Sequence, residues 1–260
     1  MAYDPFDLTG HVTFVTGGNR GIGFGMADAL ARAGADVAFC GRDSARNDEA
    51  AAALRRHGTR VLALTTDVAV EEQVVHAVRA TVAELGRIDS AFVNAGIGGM
   101  PKPLVDTTAA DFERVRRVNL DGAFWTLREA ARHMVERSAA GDAGGSLVGV
   151  ASLAAIDAAP RQYSYAASKA ALIAMIKGAA VELARHRVRA NVIAPGWIAT
   201  DMTEGMQDNP VFAEKVLPRV PVRRWGEPAD FGGVAVYLAS TASSYHTGDV
   251  LAVDGGYAVF

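Results

Sequence analysis

The sequence predicts an α/β fold: a single-domain, doubly wound parallel β-sheet of about seven strands with helices on both faces. Three observations lead there. Short β-rich runs alternate with stretches of helical periodicity along the whole chain. The strand runs are near-continuously apolar, as in Val12-Thr-Phe-Val-Thr16, which fits strands covered on both sides. A glycine-rich turn, Thr16-Gly-Gly-Asn-Arg-Gly-Ile-Gly23, joins the first strand run to the first helical one. Strands are expected at Val12–Thr16, Asp36–Cys40, Arg60–Thr65, Ser90–Val93, Ser146–Ala151, Arg189–Ile193 and Val250–Val253. The intervening helices are Ala-rich, and Gly34 suits a C-cap, since a residue tolerant of positive φ ends a helix abruptly. The 260 residues suit one domain, 1–260. Trp197–Pro228 is the least regular stretch and reads as an excursion over the carboxyl edge of the sheet, with a substrate lid insertion at about Trp197–Trp225.

Composition excludes several classes. With 50% hydrophobic and 21% charged residues, the chain can bury a large core and is neither a membrane nor a disordered protein. A net charge of -3, with 26 scattered Lys and Arg residues, argues against a nucleic-acid surface. The lone Cys40 rules out an internal disulfide and a cysteine-built zinc site, and points to a reducing, cytoplasmic setting. The acidic opening has no apolar core of a signal peptide. The apolar stretch Ala166–Ala184 is broken by Lys169, Lys177 and Glu182, so it reads as a buried or interface helix rather than a bilayer span. The six His residues show no metal-ligand spacing, so no metal is expected.

The glycine turn carries the first chemical signal. Gly17, Gly21 and Gly23 allow close backbone approach, free N–H donors and a helix N-terminus at one point, which is what a phosphate needs. The spacing G-x-x-x-G-x-G also permits a plain tight turn that packs helix on strand. No P-loop pattern is present. The second strand should end at the adenosine ribose of a dinucleotide, where an acid favours NAD and a base favours NADP. Position 41 is Gly41 and Arg42 follows it, with Arg20 in the glycine turn as a second positive charge. Guanidinium forks match phosphate, so NADP(H) is preferred, with NAD(H) possible. Arg42 as a solvated loop residue and Asp43 as the missing acid are the competing assignments.

Tyr165-Ala-Ala-Ser-Lys169 sets a phenol and an ammonium four residues apart, on one face of a helix. Unit charges about 5 Å apart at an effective dielectric of about 20 interact by roughly 3 kcal/mol, enough to lower a phenol by roughly two pKa units. Tyr165 would then serve as proton donor to a carbonyl and acceptor from an alcohol. Ordinary amphipathic helices also carry Tyr-x-x-x-Lys, so the pair alone does not decide the function. Tyr163 lies off that helix face.

Taken together, the glycine turn, Asn94-Ala-Gly96, Asn119, Ser152, Tyr165-x-x-x-Lys169 and Pro195-Gly196 resemble the short-chain dehydrogenase/reductase family in order and spacing, over essentially the whole chain. The resemblance implies a Rossmann-type fold and a Ser-Tyr-Lys mechanism with an Asn-assisted proton relay. It implies that Ser152 holds the substrate oxygen beside Tyr165, that Lys169 also binds the nicotinamide ribose, and that Asn119 holds a relay water. The cofactor would further touch Gly17, Asn19, Arg20, Gly21, Ile22 and Gly23, with Arg42 at the ribose phosphate. Asp67 and Val68 would meet adenine, and Asn94, Ala95 and Gly96 the adenosine ribose. Pro195, Gly196 and Ile198 would shape the nicotinamide end, and Thr200 would reach the phosphates. Asp67 can equally cap the following helix, Asn119 can be a structural amide, and Asp254 reads as a turn former.

Substrate contacts are expected from Ser152, Leu153, Tyr163, Trp197 and Met202, with Met100 and Met206 nearby; their apolar character favours a carbonyl with a hydrophobic flank. The substrate is a small-molecule carbonyl or alcohol, with neither nucleic acid nor membrane as partner. Polyol or sugar-acid dehydrogenase, 3-oxoacyl-thioester reductase and non-turning nucleotide sensor are the alternatives. For the thioester case, Arg128, Arg132 and Arg137 offer a dock for an acidic carrier. A homotetramer is implied by the resemblance, and Ala170, Ala171, Ile173, Ala174, Ala180 and Val181 supply an apolar stripe for it.

Overall fold

The computed structural model describes residues 4–260, with the side chains of residues 211–213 left aside. Seven strands, β1 (Val12–Thr16), β2 (Asp36–Gly41), β3 (Val61–Thr65), β4 (Ser90–Val93), β5 (Gly145–Val150), β6 (Val188–Pro195) and β7 (Val250–Val253), form one sheet. Its order is β3-β2-β1-β4-β5-β6-β7, and every neighbouring pair is parallel. Parallel neighbours need crossovers, and helices supply them: α1 (Gly21–Arg32), α2 (Ser44–Arg55), α3 (Glu71–Leu85), α4 (Ala109–Arg116), α5 (Gly122–Ala139) and α6 (Tyr163–Leu183). Two short helices, α7 (Glu204–Gln207) and α8 (Pro210–Val216), lie in the irregular stretch, and α9 (Gly232–Ala239) precedes β7.

The core is two layers, one on each side of the sheet. Period-two alternation sends Phe14, Ala38 and Leu147 into the layer with α3, α5 and α6 residues such as Val74, Leu127 and Ile176. Their neighbours Val15, Phe39 and Val148 enter the other layer, with Met26 of α1, Leu54 of α2 and Leu238 of α9. Central strands β1 and β4 are buried at every position, while edge strands β3 and β7 are only half-buried. That explains the near-continuous apolar runs. Among the described residues no helix is long and apolar enough to cross a membrane.

Four strands, β2, β3, β5 and β6, differ at their ends from the sequence-based expectation, β2 by running one residue further to Gly41. Arg60 is not in β3: its backbone N–H and its Nε both donate to the Asp36 carboxylate at 2.8 Å. β5 starts and stops one residue earlier than expected, and β6 runs on to Pro195, beyond which Gly196 N–H still donates to Val253 O at 3.0 Å. Gly34 lies just past α1 with φ +98°, as a C-terminal stop requires.

From β1 the chain turns toward β2 and from β4 toward β5, so a crevice opens above the β1–β4 pair at the carboxyl ends of the strands. The start of the stretch after β6, at Ile198 and Thr200–Thr203, lines one wall of that crevice. The two stems of the stretch are stitched: Ala199 N–H donates to Gly226 O at 2.8 Å and Gly226 N–H to Trp197 O at 2.9 Å.

Candidate active site

At the crevice floor the glycine turn leaves β1 and opens α1. Gly17 adopts φ +66°, and a Cβ at Gly23 would lie 2.2 Å from the Gly17 carbonyl oxygen, so the turn closes only without side chains there. Asn94, at the end of β4, ties it down: Nδ2 donates to Thr16 O at 2.9 Å and Gly17 O at 3.2 Å. A cavity of about 630 Å³ rises from this floor. Every residue expected at the cofactor lines it, from Gly17, Asn19 and Arg20 through Arg42, Asp67 and Asn94 to Lys169, Ile198 and Thr200. A glycine cradle at a helix N-terminus, cations at one end and a phenol with an amine at the other fit a nicotinamide dinucleotide in size and charge.

At the cation end, the acid-free position 41 has a packing cause. A Cβ at Gly41 would sit 2.3 Å from Asn19 Nδ2 and 2.7 Å from Asn47 Oδ1. Asn19 donates to Asn47 Oδ1 at 2.7 Å, and Asn47 donates onward to the carbonyls of Gly41 (3.0 Å) and Leu64 (3.2 Å). Arg42 is exposed, and among the described residues its guanidinium has no hydrogen bond or ion pair. Asp43 does not take the acid's place, because its carboxylate caps α2 by accepting from Arg46 N–H at 3.1 Å. Arg20 is committed elsewhere, 3.0 Å from Asp201, and Arg46 reaches the same carboxylate at 2.9 Å. Arg46 and Asp201 line the cavity unanticipated by sequence: neither belongs to a motif, and only the fold brings them together. Asp67 does not cap α3, whose N-cap is Val70; its carboxylate accepts from Ala69 N–H at 3.0 Å in a local turn.

At the other end, β5 delivers Ser152 and α6 delivers Tyr165 and Lys169. Burial raises the Tyr165 phenol above its usual range, with a hydrogen bond from Ser152 pulling the other way. Lys169 is more fully buried than the half-buried Tyr165, and burial lowers it to about 8. The phenol-lowering expected from charge attraction is therefore reversed. Desolvation of both groups outweighs the pull of the ammonium on the phenol. Lys169 Nζ instead donates to Val150 O at 2.7 Å and stands 5.8 Å from the Tyr165 ring centre.

Asn119 lies in a π-helical turn, Arg117–Asp121, between α4 and α5, a feature common at functional sites. It does not line the cavity. Its Oδ1 accepts from Ile97 N–H at 2.8 Å, and its Nδ2 donates to Ile97 O at 2.9 Å and Ser168 Oγ at 3.2 Å. The structural-amide alternative describes that geometry; the side chain braces the cavity wall at Gly96–Ile97. Of the expected substrate contacts, Ser152 and Met202 line the cavity, whereas Leu153, Tyr163 and Trp197 do not. Leu153 is buried in a tight turn, and Tyr163 sits about 200° around α6 from Tyr165. Trp197 packs edge-on against Trp225 and Tyr257, with ring centres 6.2 and 6.1 Å away. Ile97 and Gly98 take their place in the wall, a pair without any motif signal.

Outside the cavity, Arg128, Arg132 and Arg137 do not form an open cationic dock. Arg128 and Arg132 converge on buried Glu129 at 2.8 and 2.9 Å, and Arg137 pairs with Asp89 and Asp142. Asp254 is a turn former, accepting from the N–H groups of Gly256 and Ala258. Among the described residues no His, Cys, Asp and Glu group could hold a metal ion.

A family model described as enoyl-(acyl carrier protein) reductase matches residues 17–258. Gluconate 5-dehydrogenase of Gluconobacter oxydans is 35% identical over 256 residues, 98% of each chain. A putative short-chain alcohol dehydrogenase from Sinorhizobium meliloti superposes with TM-score 0.93 at 37% identity, covering 98% of this chain and 99% of that one. A gluconate 5-dehydrogenase from Burkholderia cenocepacia, in complex with NADP and tartrate, gives TM-score 0.92 at 34% identity, covering 99% and 98%. An NAD+-bound xylitol dehydrogenase gives 0.90 at 32%, covering 96% and 99%.

Proposed function

This chain belongs to the short-chain dehydrogenase/reductase family and is an oxidoreductase, and from that premise we propose that it interconverts a ketone and a secondary alcohol with NADP(H), using Ser152, Tyr165 and Lys169. The observation that carries this reading is a half-buried phenol and a buried amine sharing one cavity with a glycine cradle and an Arg42 that is unpaired among the described residues. The bound nicotinamide supplies or accepts the hydride. Tyr165 Oη gives its proton to the carbonyl oxygen as the alcohol forms and takes one back in the reverse direction. A phenol held protonated by burial is an acid of the right form for reduction. Lys169, lowered to about 8, can lose and regain a proton near neutral pH, which suits it to resupply Tyr165. Ser152 Oγ holds the substrate oxygen next to the phenol. Asn119 braces Ile97 with its side chain and, in this proposal, holds the water of the proton relay.

NADP over NAD is supported by Arg42 and by the packing at Gly41, where any side chain would have to displace the hydrogen-bonded Asn19–Asn47 pair. Among the described residues, the substrate end of the cavity, at Ile97, Gly98, Ser152 and Met202, has no arginine lining it to meet a carboxylate. That supports an uncharged ketone with an apolar flank. A sugar acid or polyol is the second reading, favoured by the substrates in the relatives' names. Trp197–Trp225 acts as the substrate lid in either case. A homotetramer in the reducing cytoplasm completes the proposal; its support is the exposed Ala170, Ala174 and Val181 of α6 and the single cysteine. The deciding experiment follows the absorbance of the reduced nicotinamide across a panel of cyclic ketones, 5-keto sugar acids and polyols, with both cofactors. No turnover with any of them would overturn the proposal, and turnover confined to sugar acids would select the second reading.

A further inference from the structure

Beside Arg42 the cavity mouth carries an ion triad that takes no part in proton transfer. Asp201 Oδ2 receives Arg20 Nη1 at 3.0 Å and Arg46 Nη1 at 2.9 Å. The three side chains come from three elements: the glycine turn, the first turn of α2 and the first stem of the stretch after β6. Each is about half exposed, so each pairing is individually weak and its guanidinium can change partner. Asp43 adds a second carboxylate, 3.6 Å from Arg46 Nε. The residues lining this end of the cavity are therefore balanced, Arg20, Arg42 and Arg46 against Asp43, Asp67 and Asp201. Of those three carboxylates, Asp43 caps α2, Asp67 accepts from Ala69 N–H in a local turn, and Asp201 alone binds two of the cations.

We propose that Asp201 is a specificity-determining residue that competes with a ribose 2′-phosphate for Arg20 and Arg46, and so limits how strongly this chain favours NADP over NAD. The inference rests on the reading of the cavity as a dinucleotide site. A phosphate at the adenosine ribose needs the same forked donors that Asp201 now holds, and meets like charge from it. Neutralising Asp201 leaves an excess of one positive charge at this end and frees two guanidiniums at once.

The test is calorimetric binding of adenosine 2′,5′-bisphosphate and adenosine 5′-monophosphate, which differ only in the 2′-phosphate and require no turnover. Asp201→Asn should tighten the bisphosphate about tenfold and leave the monophosphate within twofold, with the gain shrinking as salt is raised. Asp201→Glu, which keeps the charge, should stay within threefold of wild type for both. Arg46→Ala should erase most of the gain in the Asp201→Asn background. Equal binding of the bisphosphate by wild type and Asp201→Asn, or a gain that salt does not touch, overturns the inference alone. Wild-type protein that binds neither ligand overturns the dinucleotide reading with it.

Discussion

Lys169 Nζ donates to the Val150 carbonyl at 2.7 Å, so the amine of α6 is anchored on the strand that presents Ser152. Its position next to Tyr165 is thus fixed by the sheet and does not depend on the phenol. Burial and this single acceptor leave the ammonium under-solvated, which is why its pKa falls to about 8.

Stability should report that burial. The unfolded lysine titrates near 10.5 and the folded one near 8, so between those values the unfolded chain binds more protons and stability rises with pH. The penalty is fully present below about pH 8. Tyr165, raised from 10.0, contributes stability that is lost as pH climbs above that value, so the clean window runs from about 8 to 10. Across it, wild type should gain melting temperature relative to Lys169→Met. Parallel curves would show that the amine is not desolvated as described.

Tyr165→Phe should abolish turnover while leaving cofactor binding within about twofold, because only the proton-transfer oxygen is removed. A loss of at least a thousandfold in kcat corresponds to about 4 kcal/mol in the barrier. Activity within tenfold of wild type would sink the assignment of Tyr165.

Arg42→Ala should lower kcat/KM with NADP(H) by about ten- to a hundredfold, a charge-assisted contact of about 1.5–3 kcal/mol, and leave that with NAD(H) nearly unchanged. Equal specificity constants for the two cofactors in wild type would contradict the preference itself.

Met202 is 52% exposed at the cavity edge and adaptable in shape. Met202→Ala should reorder a ketone panel by about 1–3 kcal/mol in transition-state discrimination. An unchanged ranking would remove Met202 from the substrate wall.

Val181 is 83% exposed on α6, a helix whose other face fills the core. Light scattering should return a multiple of the 27.2 kDa chain mass, and Val181→Lys should shift it downward. A mass near that of one chain at micromolar concentration would exclude the oligomer.

The fold was legible because its signals are local. Apolar runs, glycine punctuation and a helix stop at Gly34 each sit within a few residues. The glycine cradle and the Tyr165–Lys169 face were legible for the same reason, since one turn or one helix creates them. What escaped needed the third dimension. Arg46 and Asp201 meet across 155 positions of sequence. Trp197 looked like a pocket wall and is instead stacked against Trp225 and Tyr257. The direction of the Tyr165 shift was missed because charge spacing can be read from a helix, whereas burial depends on what packs over it.

The backbone bonds joining Trp197, Ala199 and Gly226 give the stretch between them a common base, so its ends stay together whatever its middle does. Such a segment is an exchangeable cassette. Doubling the length of a closed loop adds only about 0.6 kcal/mol of closure entropy, so insertions there barely tax the sheet. If the stretch is the substrate lid proposed above, a lineage carrying this scaffold can trade one substrate for another by rewriting residues 200–225, with the proposed proton-handling groups after β5 and on α6 left untouched.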